Sequence, residues 1–196
     1  PGGYVAAVRS SQLGLSTVLV EKDALGGTCV NWGCIPTKSL VRNAEVIHLV
    51  HSGKQYGFSC NDIVADYAAA QFRSRQISKR QGKRVELLLK GRNVDVLKGQ
   101  ASLIDENRLE IQPSGETILA KNIILATGSS PRCLSGIEFD GDQILTARDA
   151  LQLTQTPKSV IIVGAGPIGM EFAGIWRRYG SAVTVVEMMP PPLPAE

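Results

Sequence analysis

The 196-residue chain is short of histidine (two), cysteine (four), aromatics (5%) and net charge (+3). Each shortage excludes something. So small a charge gives no reason to expect a nucleic-acid partner. The basic excess is also local, with eight Lys and Arg between Arg73 and Arg92 against the single acid Glu86, so the rest of the chain is net acidic. That stretch lies in a predicted helix, around Ala68–Leu89, with apolar positions Phe72, Ile77, Val85, Leu88 and Leu89. A nucleic-acid surface would interleave aromatics, and Phe72 stands alone, so a solvated helix face is the reading adopted. No apolar run approaches the ~18 residues that a membrane span needs. No leader is visible, but a chain opening Pro1-Gly2-Gly3 carries no information on that point. With 43% apolar and 20% charged residues, disordered and collagen-like chains are excluded. The length allows one large domain or two small ones, at ~150 residues per domain.

What is present is glycine, twenty of them, and an internal repeat. Residues 159–187 read as a buried strand (Val160–Val163), a turn Gly164-x-Gly166-x-x-Gly169, a helix, and a strand (Ala182–Val186) ending in Glu187. Gly164 permits the tight turn, Gly166 lets a pyrophosphate approach the backbone, and Gly169 lets helix and strand pack closely. The helix N-terminus offers unpaired N–H groups to phosphate. Glu187, 23 residues after the first glycine, is placed to accept hydrogen bonds from a ribose diol. Pro1–Glu21 matches Pro167–Glu187 at Pro1/Pro167, Gly3/Gly169, Ala7/Ala173, Gly14/Gly180, Val20/Val186 and Glu21/Glu187. It reads as a second dinucleotide fingerprint entered halfway.

The expectation is therefore α/β: two Rossmann-like nucleotide-binding domains, of the three-layer ββα type, both incomplete. Residues 1–150 form the first, lacking its first strand, and 151–196 begin the second, which is expected to stop short soon after the run Pro190–Pro194. Between them, Val94–Leu119 reads as β-rich, with alternation in Ala101–Ile104 and Leu109–Ile111. A strand at Asn122–Ala126 leads to Thr127-Gly128-Ser129, and Thr154–Lys158 is a linker.

Cys60 and Cys133 stand apart and read as small apolar fillers. Cys29 and Cys34 lie within Gly26-Gly27-Thr28-Cys29-Val30-Asn31-Trp32-Gly33-Cys34-Ile35-Pro36-Thr37-Lys38. Structural thiols, a zinc half-site and a redox pair are the three readings. Zinc would want a second pair or histidines in ligand register, whereas His48 and His51, at i and i+3, suit ordinary helix packing. A redox pair gains from Gly27 and Gly33, which let the chain bend tightly. A helix starting near Pro36 would favour the thiolate at Cys34, and Lys38 adds positive charge one turn on.

The cysteine segment resembles the redox motif of the flavin-dependent pyridine nucleotide–disulfide oxidoreductases. The likeness extends over the half fingerprint, Lys98-Gly99-Gln100-Ala101, Ala126-Thr127-Gly128 and the second fingerprint. It implies FAD and NAD as cofactors, and no metal. For FAD, it implies Gly2, Gly3 and Glu21 at the end of the fingerprint, with Glu21 on the adenosine ribose. Gly27 and Thr28 lie at the pyrophosphate, Gly99 and Ala101 by the adenine, and Thr127, Gly128 and Ser129 over the flavin nucleotide. Cys29 becomes the interchange thiol, Cys34 the thiol facing the flavin, and Lys38, paired with Glu171, a neighbour of the flavin ring. Gly164, Gly166, Gly169 and Glu187 take NAD.

Within the family the likeness is strongest to the members that oxidise dihydrolipoamide carried on a lipoyl domain of a 2-oxo-acid dehydrogenase complex. Those resembling glutathione or mercuric reductase are the alternative. They mostly use NADPH, and the charge of Glu187 disfavours a 2′-phosphate. The resemblance also implies a homodimer, a bacterial cytoplasmic or mitochondrial-matrix setting, and a catalytic His in a C-terminal interface domain. No such domain is present in these 196 residues, so a further expectation is a flavin-binding fragment without turnover.

Overall fold

The computed structural model describes residues 1–190, so the end of the proline run lies outside the described residues. In chain order the elements are α1 (Gly2–Gln12), β1 (Val18–Glu21), α2 (Gly27–Trp32), α3 (Cys34–His51), a 3-10 turn (Gly53–Tyr56), α4 (Tyr67–Lys90), β2 (Asp95–Lys98), β3 (Gln100–Leu103), β4 (Arg108–Gln112), β5 (Glu116–Leu119), α5 (Ala147–Ala150), β6 (Ser159–Val163), α6 (Pro167–Arg178) and β7 (Ala182–Val186). The fold is mixed α/β, as expected. Two compact units alternate along the chain: Pro1–Trp32 with Ser78–Ser130, and Gly33–Ile77 with Pro131 onward.

In the first unit β1 pairs in parallel with β2, Val18 opposite Asp95 through Glu21 opposite Lys98. β3, β4 and β5 form an antiparallel meander, registered Ala101 to Ile111 and Leu109 to Ile118. The core is Ala7 of α1, Val85 and Leu89 of α4, and Val94, with Tyr4, Val8, Leu19 and Leu25 packed around it. In the second unit β6 and β7 pair in parallel, Ser159 to Ala182 through Val163 to Val186. There α6 packs on β7 and on α3. Leu40 and Ala44 of α3 and Ile175 of α6 are completely buried, and each of the two large side chains contributes ~1.5–3 kcal/mol.

The repeat is structural as well as sequential. Gly14 and Gly180 both take the left-handed conformation (φ 79° and 96°) just beyond their helices. Leu15 N–H reaches the Ser10 carbonyl and Gly14 N–H that of Ser11. Ser181 and Gly180 reach Trp176 and Arg177 in the same way. Both are Schellman ends, which need a residue free to adopt positive φ. Each helix then returns its chain to a parallel strand.

Several expectations change, one being that Cys60 and Cys133 are exposed and not packed as apolar fillers. The β6 strand is not buried, since Ile161 and Val163 are 69% and 60% exposed. Among the described residues its sheet has two strands, and a helix covers one face only. Asn122–Ala126 is not a strand, because its backbone joins no ladder among the described residues, and Ile124 and Leu125 are exposed. A strand is defined by its neighbour, which alternation in one segment does not supply. Finally, α4 has the expected extent but a different buried stripe. Phe72 and Leu88 face outward, while Tyr67, Ala70, Gln71, Ser74, Ser78, Val85 and Leu89 are buried. Gln71 and Ser74 in this stripe meet backbone. Ser74 donates to the Pro36 carbonyl and Gln71 to that of Leu151, each at 3.0 Å.

Candidate functional site

In the first unit, Gly2 and Gly3 open α1. Pro1, its N-cap, provides no side-chain cap, so the first-turn amides are left to an outside acceptor. A Cβ built at Gly3 would lie 3.5 Å from Leu19 and 3.6 Å from Ala126, ordinary contact distances. Ala126 thus lies beside this helix end, and Thr127, Gly128 and Ser129, which follow it in the chain, are exposed. Gly27 (φ 64°) abuts it too, since a Cβ there would stand 2.9 Å from the Pro1 nitrogen. Glu21 ends β1, and one carboxylate oxygen accepts the Asp23 N–H at 2.8 Å. Gly99 N–H donates to the Glu21 carbonyl at 3.1 Å, so these two predicted residues meet. Gly99 has a packing reason of its own, because a Cβ would press on Ile111 and the Gln112 carbonyl at 2.4 and 2.6 Å. Ala101 lies on β3, opposite Ile111.

Thr28 and Cys29 lie on α2, which the glycine-turn reading did not foresee. Cys29 is half-buried and Thr28 exposed. Asn31, which carried no expected role, holds the approach to that helix: its amide donates to the Leu25 and Gly27 carbonyls, both at 3.0 Å. It lay inside the motif without a spacing rule to mark it.

In the second unit, Cys34 is exposed and is the first residue of α3. The helix begins two residues before the Pro36 start expected. Gly33 is the N-cap, its carbonyl accepting the Thr37 N–H at 3.1 Å and the Thr37 hydroxyl at 2.7 Å. Pro36 sits in the first turn, where an amide would have no helical acceptor, so it interrupts nothing. One turn on, Lys38 Nζ meets Glu171 Oε1 of α6 at 2.5 Å. The side chains are 61% and 26% exposed, and a pair so wetted contributes at most ~1 kcal/mol to stability. Its geometric effect is to tie the turn after Cys34 to the first turns of α6.

The glycine turn before α6 divides its labour. Gly164 takes φ 107°. Gly166, the N-cap, has nothing among the described residues within 4 Å of a built Cβ, so space is open there. At Gly169 a Cβ would stand 2.1 Å from the Gly164 carbonyl oxygen and 3.2 Å from Ile162. Glu187 Oε1 accepts the Met189 N–H and Oε2 the Ala165 N–H, both at 2.8 Å. These two backbone donors, Met189 first, hold its carboxyl below the usual glutamate range. The carboxylate thus braces the glycine turn and keeps lone pairs for another donor. Open helix amides, unfilled space at Gly166 and a fixed anion at the strand end fit a dinucleotide.

Among the described residues no three His, Cys, Asp or Glu side chains converge as a metal site would require, and no helix is long and apolar enough to cross a membrane.

The sequence profile of the pyridine nucleotide-disulphide oxidoreductases matches residues 1–196. Dihydrolipoyl dehydrogenase of Chlorobaculum tepidum is 48% identical over 199 aligned residues, covering all of this chain and 42% of that protein. Its counterpart in Rhizobium etli is 42% identical, covering all of this chain and 44% of its own length. The chain thus spans about two-fifths of these relatives. Among solved structures, LpdA of Mycobacterium tuberculosis superposes with a TM-score of 0.85 at 26% identity, covering 98% of this chain and 43% of that one. The HOCl-induced flavoprotein disulfide reductase RclA of Escherichia coli gives 0.82 at 28%, covering 98% and 41%.

Proposed function

The chain belongs to the pyridine nucleotide-disulphide oxidoreductase family, and we propose that it is the part of a dihydrolipoamide-oxidising enzyme that carries the redox cysteines, the FAD site and the start of the NAD site. The observation that carries this reading is the segment Cys29–Lys38, with Cys34 opening a helix and Lys38 anchored by Glu171 one turn later.

In this proposal residues 1–150 hold FAD and 151–196 begin the unit for NAD. Gly2, Gly3, Gly27 and Thr28 receive the FAD pyrophosphate, Glu21 the ribose, Gly99 and Ala101 the adenine, and Thr127–Ser129 the flavin nucleotide. Gly164, Gly166, Gly169 and Glu187 receive NAD. FAD, when bound, supplies two-electron redox chemistry between the cysteine pair and the nicotinamide.

The protein's own share of the reaction starts from a Cys29–Cys34 disulfide. One thiolate of the dithiol attacks Cys29 Sγ, forming a mixed disulfide and releasing Cys34 as thiolate. The second substrate thiol displaces Cys29, so the substrate leaves as a cyclic disulfide and two electrons remain on the cysteine pair. Lys38 keeps a positive charge one turn from the Cys34 thiolate, and Glu171 keeps Lys38 in place. The lipoyl domain of a 2-oxo-acid dehydrogenase complex is the proposed source of the dithiol, and a homodimer in the bacterial cytoplasm the proposed working form. NAD is preferred to NADP on the charge of Glu187, which would repel a 2′-phosphate.

The test is Cys29→Ser in the flavin-loaded full-length enzyme of which this chain is proposed to be a part. The yellow spectrum should persist while NADH formation from dihydrolipoamide falls at least ~10³-fold. Normal turnover by this variant would refute the role given to Cys29.

A further inference from the structure

At the far ends of α3 and α6 from Cys34 and Glu171 lies a solvent-open concavity of about 550 Å³, lined by His48, His51, Gly174, Arg177 and Arg178. The reaction outlined above uses none of these residues. The two histidines occupy the last turn of α3 and the two arginines the last turn of α6. Basic side chains near a helix C-terminus complement its dipole, which accounts for cations at each end taken separately. It does not account for four nitrogen-bearing planar heads around one hollow.

Three further features mark the hollow as a receptor for anions. Among the described residues no carboxylate lines it. The nearest acid in sequence on α3, Glu45, is engaged by Arg42 at 3.1 Å, and among the described residues neither Arg177 nor Arg178 meets a carboxylate within ion-pair distance. Gly174 forms part of the floor, and a Cβ there would lie 3.4 Å from Arg178 Nη1, so the guanidinium lies close over bare backbone. Guanidinium forks match phosphoryl oxygens two at a time, and each imidazole offers at least one N–H.

We propose that this hollow binds a small molecule bearing a diphosphate or two neighbouring phosphoryl groups, at a site separate from the glycine turns. Arg177 and Arg178 grip the phosphoryl oxygens from one helix end, while His48 and His51 donate from the other.

The probe is inorganic pyrophosphate, titrated calorimetrically at fixed ionic strength into the flavin-loaded holoprotein and into its Gly166→Ala variant, which removes any contribution of the glycine turn. One molecule per chain should bind, inorganic phosphate more weakly, and sulfate weakest. Arg178→Gln should weaken pyrophosphate at least tenfold, and the Arg177→Gln/Arg178→Gln pair should abolish the heat. Lys83→Gln, an equal charge change on α4, should leave it unchanged. Both arginines are exposed, so the variants should stay folded and lose no more than the small dipole contribution of the last turn of α6. Should the double variant not fold, His48→Gln and His51→Gln carry the test, each expected to weaken pyrophosphate severalfold. No pyrophosphate heat in the wild type, sulfate binding as tight as pyrophosphate, or loss equal in Lys83→Gln would each overturn the proposal.

Discussion

Gly169→Ala is the sharpest perturbation this structure offers. The added methyl carbon would start 2.1 Å from the Gly164 carbonyl oxygen, and real Cβ contacts essentially never fall below 3.0 Å. The turn and the helix must therefore part by nearly 1 Å. Neither partner is a flexible side-chain tip: one is backbone, and the other atom, Ile162 at 3.2 Å, belongs to β6. Overpacking of this kind costs ~1–3 kcal/mol. For a chain of this size a 2 kcal/mol loss lowers the melting point by about 4–8 °C. Gly166→Ala is the matched comparison, because its Cβ meets nothing within 4 Å and its φ of −72° suits any residue. Its stability should change by less than ~1 kcal/mol, the loss of glycine as N-cap. Its NAD⁺ affinity should still fall at least ~10-fold, because the methyl group occupies the space left for the pyrophosphate. Thermal unfolding and NAD⁺ titration of the two variants therefore separate packing from binding. If Gly169→Ala melts with the wild type, or if Gly166→Ala binds NAD⁺ normally, the division of labour within the turn is wrong.

Two other outcomes follow from single side chains. Glu187 has a lowered pKa in the fold, so its contribution to stability is complete above the ordinary value of 4.5 and is lost as pH falls through the lower native one. The stability difference between wild type and Glu187→Gln, followed by urea unfolding, should shrink as pH drops from about 5 to 3, and a difference that grows on acidification would contradict the two backbone contacts. On α4, the Ser78 hydroxyl is buried without a partner among the described residues, whereas Ser74 donates to the Pro36 carbonyl. Ser78→Ala should leave stability unchanged or raise it by up to ~1 kcal/mol, and Ser74→Ala should cost ~1 kcal/mol or more; urea midpoints in the reverse order would refute this.

Much of this protein was legible from residue order alone, for a physical reason. Glycine positions, helix ends and strand ends are local: a Schellman end needs a residue that reaches positive φ, and a close helix–strand approach needs a missing Cβ. Those constraints make Pro1–Glu21 and Pro167–Glu187 alike, and they set the extents of α1, α6, β7 and the long α4. The cysteine segment was legible in the same way, because residue types at short spacing carry its chemistry.

Tertiary structure decided what depends on neighbours distant in sequence. Whether 122–126 becomes a strand rests on a partner backbone, and whether Ile161 is covered rests on a second layer. Which face of α4 turns inward depended on the Pro36 and Leu151 carbonyls, which reward Ser74 and Gln71 over Phe72. The meeting of Gly99 with Glu21 likewise required the folded chain, while the pairing of Lys38 with Glu171, 133 residues away, was implied by the family resemblance and took its 2.5 Å geometry from the fold. Local spacing can specify a turn, but burial and pairing belong to whatever the fold brings alongside.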